Sequence, residues 1–424
     1  MIYLREIFYE CFECGNLSPA VGHKISCEEC GGILQYCYPN LRPKKLSDLT
    51  ERGLPGMWIF QKVLPLLKPA SNMIHLGEGR TNLYEDQTIA RMAGRSDVTF
   101  LVKDESTNPT GTIKDRSASV ALSVYKERNI PNITLSSTGN TATSYGLYNQ
   151  RAFRKLAIFV PTEMENLINF DDESERTRII LVNGRYVDAT SLSIRMAEET
   201  SYVLDGGFAN PDQIAGLETM AYEAYFQLYE KYGKHARSLM DSGKVWYIHP
   251  TGSGNGLLGW YQAIERLREY GFLKEYIHLI CVQPEGCASI VDPAIKGQER
   301  ITQRINSTTW AKIIENEYPK NCYPYVKYVV RETLGLFHKV NEEKSREIYE
   351  NSESIFEIQI MSPAAIAIQA TIELADRFDS GDVVIIGYTG VEREKRHYNF
   401  ERIGPVSKDA TISQILEENP QLLY

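Results

Sequence analysis

The stretch NPTGTIKDR, residues 108–116, places a Pro-Thr-Gly turn between a predicted strand, Val98–Val102, and a predicted helix, Asp115–Glu127. Lys114 therefore lies near the start of a helix, where the helix dipole favours anions over cations. Two interpretations are open. Lys114 is either a solvated lysine or an amine whose pKa the local positive potential lowers, so that it can form an imine. The spacing alone favours neither.

Outward from this stretch, short apolar runs alternate with longer amphipathic segments. This alternation is typical of βαβ units, which build largely parallel sheets covered by helices on both faces. The sequence therefore predicts an α/β fold. The predicted strands are Val98–Val102, Ile133–Leu135, Leu156–Val160, Ile179–Val182, Val245–Ile248, Ile277–Val282 and Val383–Ile386, and the predicted helices are Asp115–Glu127, Asn140–Ala152, Pro211–Tyr232, Gly256–Tyr270 and Pro363–Phe378.

The composition is that of an ordinary globular protein, since the 424 residues (48.2 kDa) are 43% apolar and 24% charged. A net charge of -9 argues against a nucleic-acid partner, because phosphate binding draws on a basic surface. The apolar runs fall far short of the roughly 20 residues that span a bilayer. The N-terminus shows no basic stretch followed by an apolar core. We therefore expect a cytoplasmic protein with no membrane partner.

Five of the eight cysteines lie within the first 37 residues. Four of them form two Cys-x-x-Cys pairs separated by twelve residues, a spacing that suits four thiolates around a structural Zn²⁺. Two disulfides or four free thiols are the alternatives. His23 or Cys37 could replace one ligand, although nothing in the sequence favours them. The predicted ligands are Cys11, Cys14, Cys27 and Cys30.

A hydroxyl-rich loop, SSTGNT at residues 136–141, joins a predicted strand to a predicted helix. Its hydroxyls and the backbone N–H groups of a helix N-terminus are suited to bind a carboxylate. The alternative is ordinary N-capping of the helix, for which one hydroxyl is sufficient.

A glycine-rich loop, TGSGNGLLG at residues 251–259, follows another predicted strand. Alternating glycines let the backbone surround an anion closely, so the loop predicts a phosphate site. The same residues contain Gly254-x-Gly256-x-x-Gly259, a pattern that also occurs in dinucleotide-binding folds. The pattern indicates phosphate without identifying the molecule that carries it.

Together these segments resemble threonine synthase and its relatives among the fold-type-II pyridoxal-phosphate (PLP) enzymes, over most of the chain. The NPTGTIKDR stretch resembles the family's Asn-Pro-Thr-Gly-Ser-Phe-Lys-Asp-Arg motif, and Ser137–Thr141 resembles its Ser-Thr-Gly-Asn-Thr loop. Further resemblances are Gly77-Glu78-Gly79-x-Thr81, Tyr186–Ala189, Asn210–Gly216 and the cysteine pairs followed by Gly31-Gly32.

The resemblance implies a role for each motif. Lys114 would hold the cofactor as a Schiff base, and Asn140 would meet the 3′-oxygen of its pyridine ring. Thr389, which follows the strand Val383–Ile386, would place a hydroxyl at the pyridine nitrogen. The cofactor phosphate would lie against Thr251, Gly252, Ser253, Gly254, Asn255 and Gly256, and the amino-acid substrate would contact Thr110, Ser137, Thr138 and Thr141.

The resemblance also implies the fold-type-II architecture, which is tryptophan synthase β-like and has two open parallel-sheet α/β domains. A zinc-ribbon-like module would precede them, and the enzyme would be a homodimer. We expect the module at residues 1–45, a large PLP-binding domain at residues 46–100 and 185–424, and a small domain at residues 101–184.

Several positions depart from the family pattern. Ile113 replaces Phe, Gln213 replaces Arg, Leu217 replaces Gln and Val391 replaces His. Tyr145 and Tyr148 stand on the helix after the SSTGNT loop, where relatives have small residues. Residues three apart share a helix face, so both rings either reach the substrate cavity or pack in the core.

A neutral hydroxyl at the pyridine nitrogen favours prompt loss of a leaving group, so we expect elimination followed by addition. The leading expectation is a PLP-dependent lyase that converts O-phosphohomoserine and water to threonine and phosphate. The first alternative is β-replacement on O-phosphoserine or a similar activated serine, as in cysteate synthase. Two alternatives from other classes are an NAD(P)-dependent oxidoreductase, which leaves Lys114 and Ser137–Thr141 unexplained, and a non-catalytic zinc-ribbon regulatory protein.

Overall fold

The computed structural model describes residues 6–393 and 398–423, which form three β-sheets. The strands are β1 (Phe8–Cys11), β2 (Leu17–Pro19), β3 (Leu34–Cys37), β4 (Asn82–Glu85), β5 (Thr99–Asp104), β6 (Asn132–Ser136), β7 (Lys155–Pro161), β8 (Thr177–Asn183), β9 (Val203–Leu204), β10 (Val245–Pro250), β11 (His278–Pro284), β12 (Leu336–Val340), β13 (Val383–Tyr388) and β14 (Glu401–Ser407).

The helices are α1 (Pro69–Asn72), α2 (Gln87–Ala93), α3 (Lys114–Glu127), α4 (Asn140–Ala152), α5 (Tyr186–Glu199), α6 (Pro211–Tyr232), α7 (Lys234–Met240), α8 (Asn255–Glu269), α9 (Val291–Ile295), α10 (Tyr323–Glu332), α11 (Glu342–Glu350), α12 (Ser352–Phe356), α13 (Ser362–Glu373) and α14 (Ile412–Glu418). Short 3₁₀ segments occupy Leu46–Leu49, Gly56–Val63, Glu105–Thr107, Thr162–Leu167, Gly207–Ala209, Glu285–Cys287, Lys312–Ile314, Ala375–Arg377 and Pro420–Leu422. None of the helices in the described residues combines the length and apolar character needed to cross a bilayer.

The largest sheet has six strands in the order β12-β11-β10-β13-β5-β4, and all neighbours are parallel except β4 and β5. Its central strand β13, VVIIGY, is buried over its whole length, as a continuous apolar run in a parallel sheet predicts. Helix α13 packs on one face, and α6 and α8 pack on the other.

A second sheet has five parallel strands in the order β14-β8-β7-β6-β9. Helices α3 and α4 contribute to the core on one of its faces, and α5 and α14 contribute to the core on the other. The third sheet, β2-β1-β3, is small and antiparallel and carries the N-terminal cysteines.

Helix α6 begins where its sequence predicts, because the Asn210 side chain accepts a hydrogen bond from Asp212 N and Pro211 occupies the first turn. It then runs through the interior, where a Cβ on Gly216 would lie 2.2 Å from the backbone oxygen of Arg116 in α3. The Asn210–Gly216 segment therefore specifies close helix packing beneath the cleft.

The sheets divide the chain differently from the predicted domain boundaries at two places. Strand β5 crosses the boundary at residue 100 and pairs with β13 over its full length, so residues 101–104 lie in the six-stranded sheet. Strand β14 lies in the five-stranded sheet beside β8, although residues 185–424 were assigned to the large domain. The sequence of β14, ERIGPVS, lacks a regular apolar pattern, and its pairing with β8 spans more than 200 residues.

Candidate active site

Four loops meet at the carboxyl ends of β5, β6, β10 and β13, the edge at which parallel sheets bind ligands. They form a cavity that we call the inner cleft. Of the predicted site residues, its lining contains Lys114, Ser137, Thr138, Asn140, Thr141, Gly252, Ser253, Gly254, Asn255, Gly256 and Thr389.

Lys114 is the first residue of α3, and its backbone N–H donates to the hydroxyl of Thr112. The turn before it requires glycine, because Gly111 has a φ of +73° and a Cβ there would lie 3.0 Å from Val391. Burial lowers the pKa of Lys114 to about 8, and the carboxylate of Asp205 opposes this effect. The direction agrees with the second of the two interpretations, although burial rather than the helix potential is the cause, and the imine role of Lys114 stays a prediction.

The hydroxyl-rich loop satisfies backbone N–H groups at the start of α4, and its carboxylate-binding role stays a prediction. The hydroxyl of Ser137 accepts hydrogen bonds from Gly139 N and Ala142 N, so it caps α4 while lining the cleft. Thr138 donates to the backbone oxygen of Ile313. N-capping thus accounts for Ser137, and the backbone of the loop still faces the cleft at the start of α4.

The glycine loop is a close backbone cradle at the start of α8. Gly254 has a φ of +91°, and a Cβ on it would lie 2.2 Å from Val326. A Cβ on Gly256 would lie 2.3 Å from the His249 ring. The first N–H groups of α8 lack partners within the helix, so they can receive an anion.

Two predicted residues lie outside the lining of the inner cleft. The hydroxyl of Thr251 donates to the backbone oxygen of His249 and is fully buried. The hydroxyl of Thr110 donates to Asp115 at 2.6 Å, and Thr110 N donates to the other oxygen of the same carboxylate. The structure therefore places both threonines beneath the cleft.

Comparison with known protein families identifies the chain. The profile of the family described as "Pyridoxal-phosphate dependent enzyme" matches residues 74–390, about three quarters of the sequence. The chain belongs to this family. Membership confirms the predicted PLP cofactor and removes the oxidoreductase alternative.

Individual relatives agree with the predicted resemblance. Threonine synthase of Methanocaldococcus jannaschii is 25% identical over 367 residues, which cover 84% of this chain and 85% of that protein. Cysteate synthase of Methanococcoides burtonii is 22% identical over 401 residues, covering 89% and 90%. The solved structure of maize serine racemase has a TM-score of 0.58 and 18% identity, covering 74% of this chain and 89% of that one. The predicted fold-type-II α/β class is confirmed.

The inner cleft fits the cofactor of this PLP-dependent family. Asn140 Oδ1 is buried and has no hydrogen-bond partner, so it is free to receive one from a bound group. The glycine loop provides the backbone cradle for a phosphate, and Lys114 lies in the same cleft with a lowered pKa. The cleft therefore offers a polar side chain, a backbone cradle and an amine, groups of the kinds that would contact the cofactor's ring, phosphate and aldehyde.

Some cleft residues of this PLP enzyme were not predicted from the sequence. His249 lines the cleft as a neutral imidazole, because burial and the nearby Lys114 lower its pKa to about 3. Tyr186, at the start of α5, and the segment Ile313–Glu315 line the cleft as well. The position of His249 at the end of an apolar strand is only weak evidence that it belongs to a site. The segment Ile313–Glu315 contains no motif that would have identified it.

Tyr145 and Tyr148 are both fully buried and lie outside the cleft lining. The hydroxyl of Tyr145 donates to Asp205, and that of Tyr148 donates to Glu78, each at 2.7 Å. The core interpretation is therefore the one the structure supports, and the rings take no space in the inner cleft.

A buried charged cluster behind the cleft includes Arg116 of the NPTGTIKDR stretch. Arg116 donates to Glu105 and Glu223, and Lys103 Nζ lies 3.3 Å from Glu223 and 3.8 Å from Glu105. Thr81 joins the cluster by donating to Glu105 at 2.7 Å. Two cations balance two anions, and Arg116 and Lys103 hold the pKa of Glu105 at about 2 despite its burial. The buried cluster therefore holds α3 in place through Arg116.

The four N-terminal cysteines lie together, as the spacing predicts. Their Sγ atoms are all within 4.8 Å of one another, and the shortest distances, 3.4 and 3.8 Å, are too long for disulfide bonds. His23 is excluded as a ligand because its ring contacts the backbone oxygen of Leu204 and the carboxylate of Asp212. Cys37 lies outside the group, opposite Phe8 at the end of β3.

Proposed function

We propose that this enzyme uses PLP to eliminate phosphate from a phosphorylated amino acid and to add a nucleophile. The leading reaction is O-phosphohomoserine plus water to threonine plus phosphate. The threonine synthases among its relatives support this proposal, since the alignments cover most of both chains. The observation that carries it is the inner cleft, where Lys114 lies between a carboxylate-binding loop and a phosphate cradle.

Each lining group has a task in this reaction. Lys114, Asn140, Thr389 and the glycine loop would hold the cofactor, which supplies an electron sink for the charge that develops at the substrate Cα. The N-terminus of α4 and the hydroxyl of Thr141 would hold the substrate carboxylate, since the hydroxyl of Thr138 already donates to Ile313. The neutral form of Lys114 would take the Cα proton, because a pKa of about 8 leaves part of the amine unprotonated near neutral pH.

The overall conversion balances without a further co-reactant. The Cγ–O bond breaks and phosphate leaves, Cβ loses a proton, and Cγ gains one to become the methyl group. Water then adds its hydroxyl at Cβ and leaves its remaining proton with the phosphate, and Cα regains a proton that has exchanged with solvent. Lys114 would remove the Cα proton before these steps and, as the protonated amine, would supply the proton that returns to Cα. His249, with a pKa of about 3, stays neutral beside Lys114 near neutral pH.

The test is product analysis by mass spectrometry together with phosphate release. The holoenzyme should release phosphate from O-phosphohomoserine and form threonine, and in D₂O the product should carry deuterium at Cα. Lys114→Ala should form no threonine, whereas Lys155→Ala, at a part-buried lysine outside the cleft, should match the wild type. No phosphate release from O-phosphohomoserine or O-phosphoserine would contradict the proposal.

The second candidate is β-replacement on O-phosphoserine. The cysteate synthases favour it, because their alignments reach 89% or more of this chain, beyond the share covered by the threonine synthases. In that reaction the phosphate leaves Cβ directly, and the added nucleophile takes its place. Incubation of O-phosphoserine with sulfite would then give cysteate and phosphate.

The N-terminal cysteine cluster supports a further part of the proposal, one structural Zn²⁺ per chain. Four thiol sulfurs at mutual distances below 4.8 Å are the donor set that Zn²⁺ prefers. The positive φ angles of Gly15 and Gly31 allow the turn after each Cys-x-x-Cys pair. The site is far in sequence from the cleft, and its role would be to stabilise the ribbon. The homodimer remains a prediction.

A further inference from the structure

A second cavity adjoins the inner cleft, and we call it the outer cleft. It encloses about 850 Å³ between the segment Thr162–Leu167, the segment Lys312–Ile314, the start of α13 and the residues that follow β13. Ile313 lines both cavities, and Met361 of the outer cleft accepts a contact from Asn140 Nδ2 of the inner cleft. The two cavities are therefore separated by single side chains beside the carboxylate-binding loop.

The inner cleft has few cationic groups that could bind a phosphate on the substrate. Among the described residues that line it, Lys114 is the one cationic side chain, and the cofactor engages it, while His249 is neutral. The remaining charged residue of this lining is the carboxylate of Glu315, which is paired with Lys312 and offers no donor to a phosphate. The glycine loop is taken by the phosphate of the cofactor. A substrate whose Cα lies at Lys114 must therefore find its second anion site elsewhere.

Arg393 lies in the outer cleft, near the carboxylates of Asp115 and Glu392, with one guanidinium nitrogen unsatisfied. Its Nε donates to the backbone oxygen of Thr110, which fixes the side chain against the turn before Lys114. Its Nη2 is buried and has no hydrogen-bond partner. A buried donor without a partner is costly, and such groups are uncommon unless a ligand satisfies them.

The other cations of the outer cleft are already paired. Arg402 Nε lies 2.5 Å from Glu165, and its guanidinium stacks on the ring of Phe400. Lys312 Nζ lies 2.8 Å from Glu315. Among the described residues that line this cavity, Arg393 is the cation that keeps a buried free donor for a ligand.

We propose that Arg393 binds the phosphate of the amino-acid substrate in the outer cleft. A guanidinium suits this task because its planar donors match two phosphate oxygens. Arg393 keeps its charge at neutral pH, since burial lowers its pKa only to about 10. Through Thr110 the same side chain is linked to the turn that carries Lys114, so phosphate binding and placement of the substrate Cα are coupled.

This inference rests on the proposed function, so its test uses binding as well as turnover. The probe is 2-amino-5-phosphonopentanoate, in which a CH₂ group replaces the ester oxygen of O-phosphohomoserine so that phosphate cannot leave. L-Norvaline, which lacks the phosphonate, is the reference ligand. Calorimetry with the holoenzyme measures both affinities, and the glycine loop cannot account for phosphonate binding because the cofactor fills it.

Arg393→Gln should weaken phosphonate binding at least about tenfold and leave the affinity for norvaline within about twofold. Arg393→Lys should fall between the wild type and Arg393→Gln, because it keeps the charge and loses the planar donors. Arg402→Gln, in the same cleft, should bind both ligands as the wild type does. The visible absorbance of each variant checks that it retains the cofactor.

Two results would overturn the inference: wild-type phosphonate affinity in Arg393→Gln, or an equal loss in Arg402→Gln. Turnover separates this failure from that of the proposed function. An enzyme that releases phosphate with an unchanged KM in Arg393→Gln contradicts the role of Arg393 alone. An enzyme that releases no phosphate, yet binds the phosphonate through Arg393, contradicts the proposed reaction and supports the anion site.

Discussion

The phenol hydroxyl of Tyr145 donates a hydrogen bond of 2.7 Å to Oδ1 of Asp205. The same carboxylate accepts hydrogen bonds from Tyr125, Asn210 and Gln213. Asp205 is fully buried, and its charge opposes the lowering of the pKa of Lys114. Tyr145 therefore affects the pKa of Lys114 through Asp205, although its own ring does not line the inner cleft.

Replacing Tyr145 with Phe should lower the free energy of unfolding by about 1 to 3 kcal/mol, because a buried carboxylate loses one donor. With less compensation of its charge, Asp205 should raise the pKa of Lys114. Urea denaturation and the pH dependence of turnover measure the two effects. Tyr148→Phe is the matched control, since it removes the hydrogen bond to Glu78 and should lower stability without moving the pH profile. A large rise in substrate KM in Tyr145→Phe, with unchanged stability, would contradict the assignment.

Removing the central cation of the buried cluster should be severe. Arg116→Met leaves Glu105 and Glu223 with only Lys103 as a cation, and an uncompensated buried charge costs about 3 to 5 kcal/mol. Arg346→Met removes an exposed pair with Glu350 and should cost less than about 0.5 kcal/mol. Denaturant titration of both variants tests the difference. Equal stabilities would show that the cluster does not hold α3.

The cysteine cluster should bind one zinc per chain. Elemental analysis of protein purified without chelator should give a ratio near one, and Cys11→Ser should lose both metal and stability while it keeps the visible absorbance of PLP. Cys37→Ser, outside the cluster, should retain the metal. A ratio near zero, with all thiols titrating in the native protein, is the result that this prediction cannot accommodate.

The pKa of Lys114 predicts how the apoenzyme recovers its cofactor. Only the neutral amine attacks the PLP aldehyde, and the ammonium form prevails below a pKa of about 8. The rate of recovery should therefore rise about tenfold per pH unit below pH 8 and level off above it. Stopped-flow absorbance follows the reaction. A rate that keeps rising beyond pH 10 would indicate an unperturbed lysine.

Local sequence signals predicted much of the fold. Helices α4 and α6 begin and end where their caps indicate, because Asn210 and Pro211 specify the start of α6 and the SSTGNT loop precedes α4. The apolar run of β13 identified a central parallel strand. Of the strands in the two larger sheets, β4, β9, β12 and β14 were missed. Strand β9 has two residues and β14 has the irregular sequence ERIGPVS, so neither carries a periodic pattern and only their distant partners specify them.

The site was predictable where the backbone itself forms it. Glycines with positive φ and the turns after parallel strands have characteristic local sequences. These sequences identified the two loops and Lys114 as candidate site residues. Residues that enter the cleft from distant segments gave no such signal. Ile313–Glu315 and Arg393 come close only after folding, and the buried roles of Tyr145 and Tyr148 depend on Asp205 and Glu78, which lie 60 and 70 residues away.

The central claim is that Lys114 holds the cofactor, and borohydride reduction of the holoenzyme followed by peptide mass analysis tests it most directly. The account predicts a single pyridoxyl group, fixed on the peptide that contains Lys114. Lys103 should stay unlabelled because it is fully buried among carboxylates. Label on Lys103 or Lys155, or a reduced protein without any pyridoxyl group, would contradict the assignment of the inner cleft.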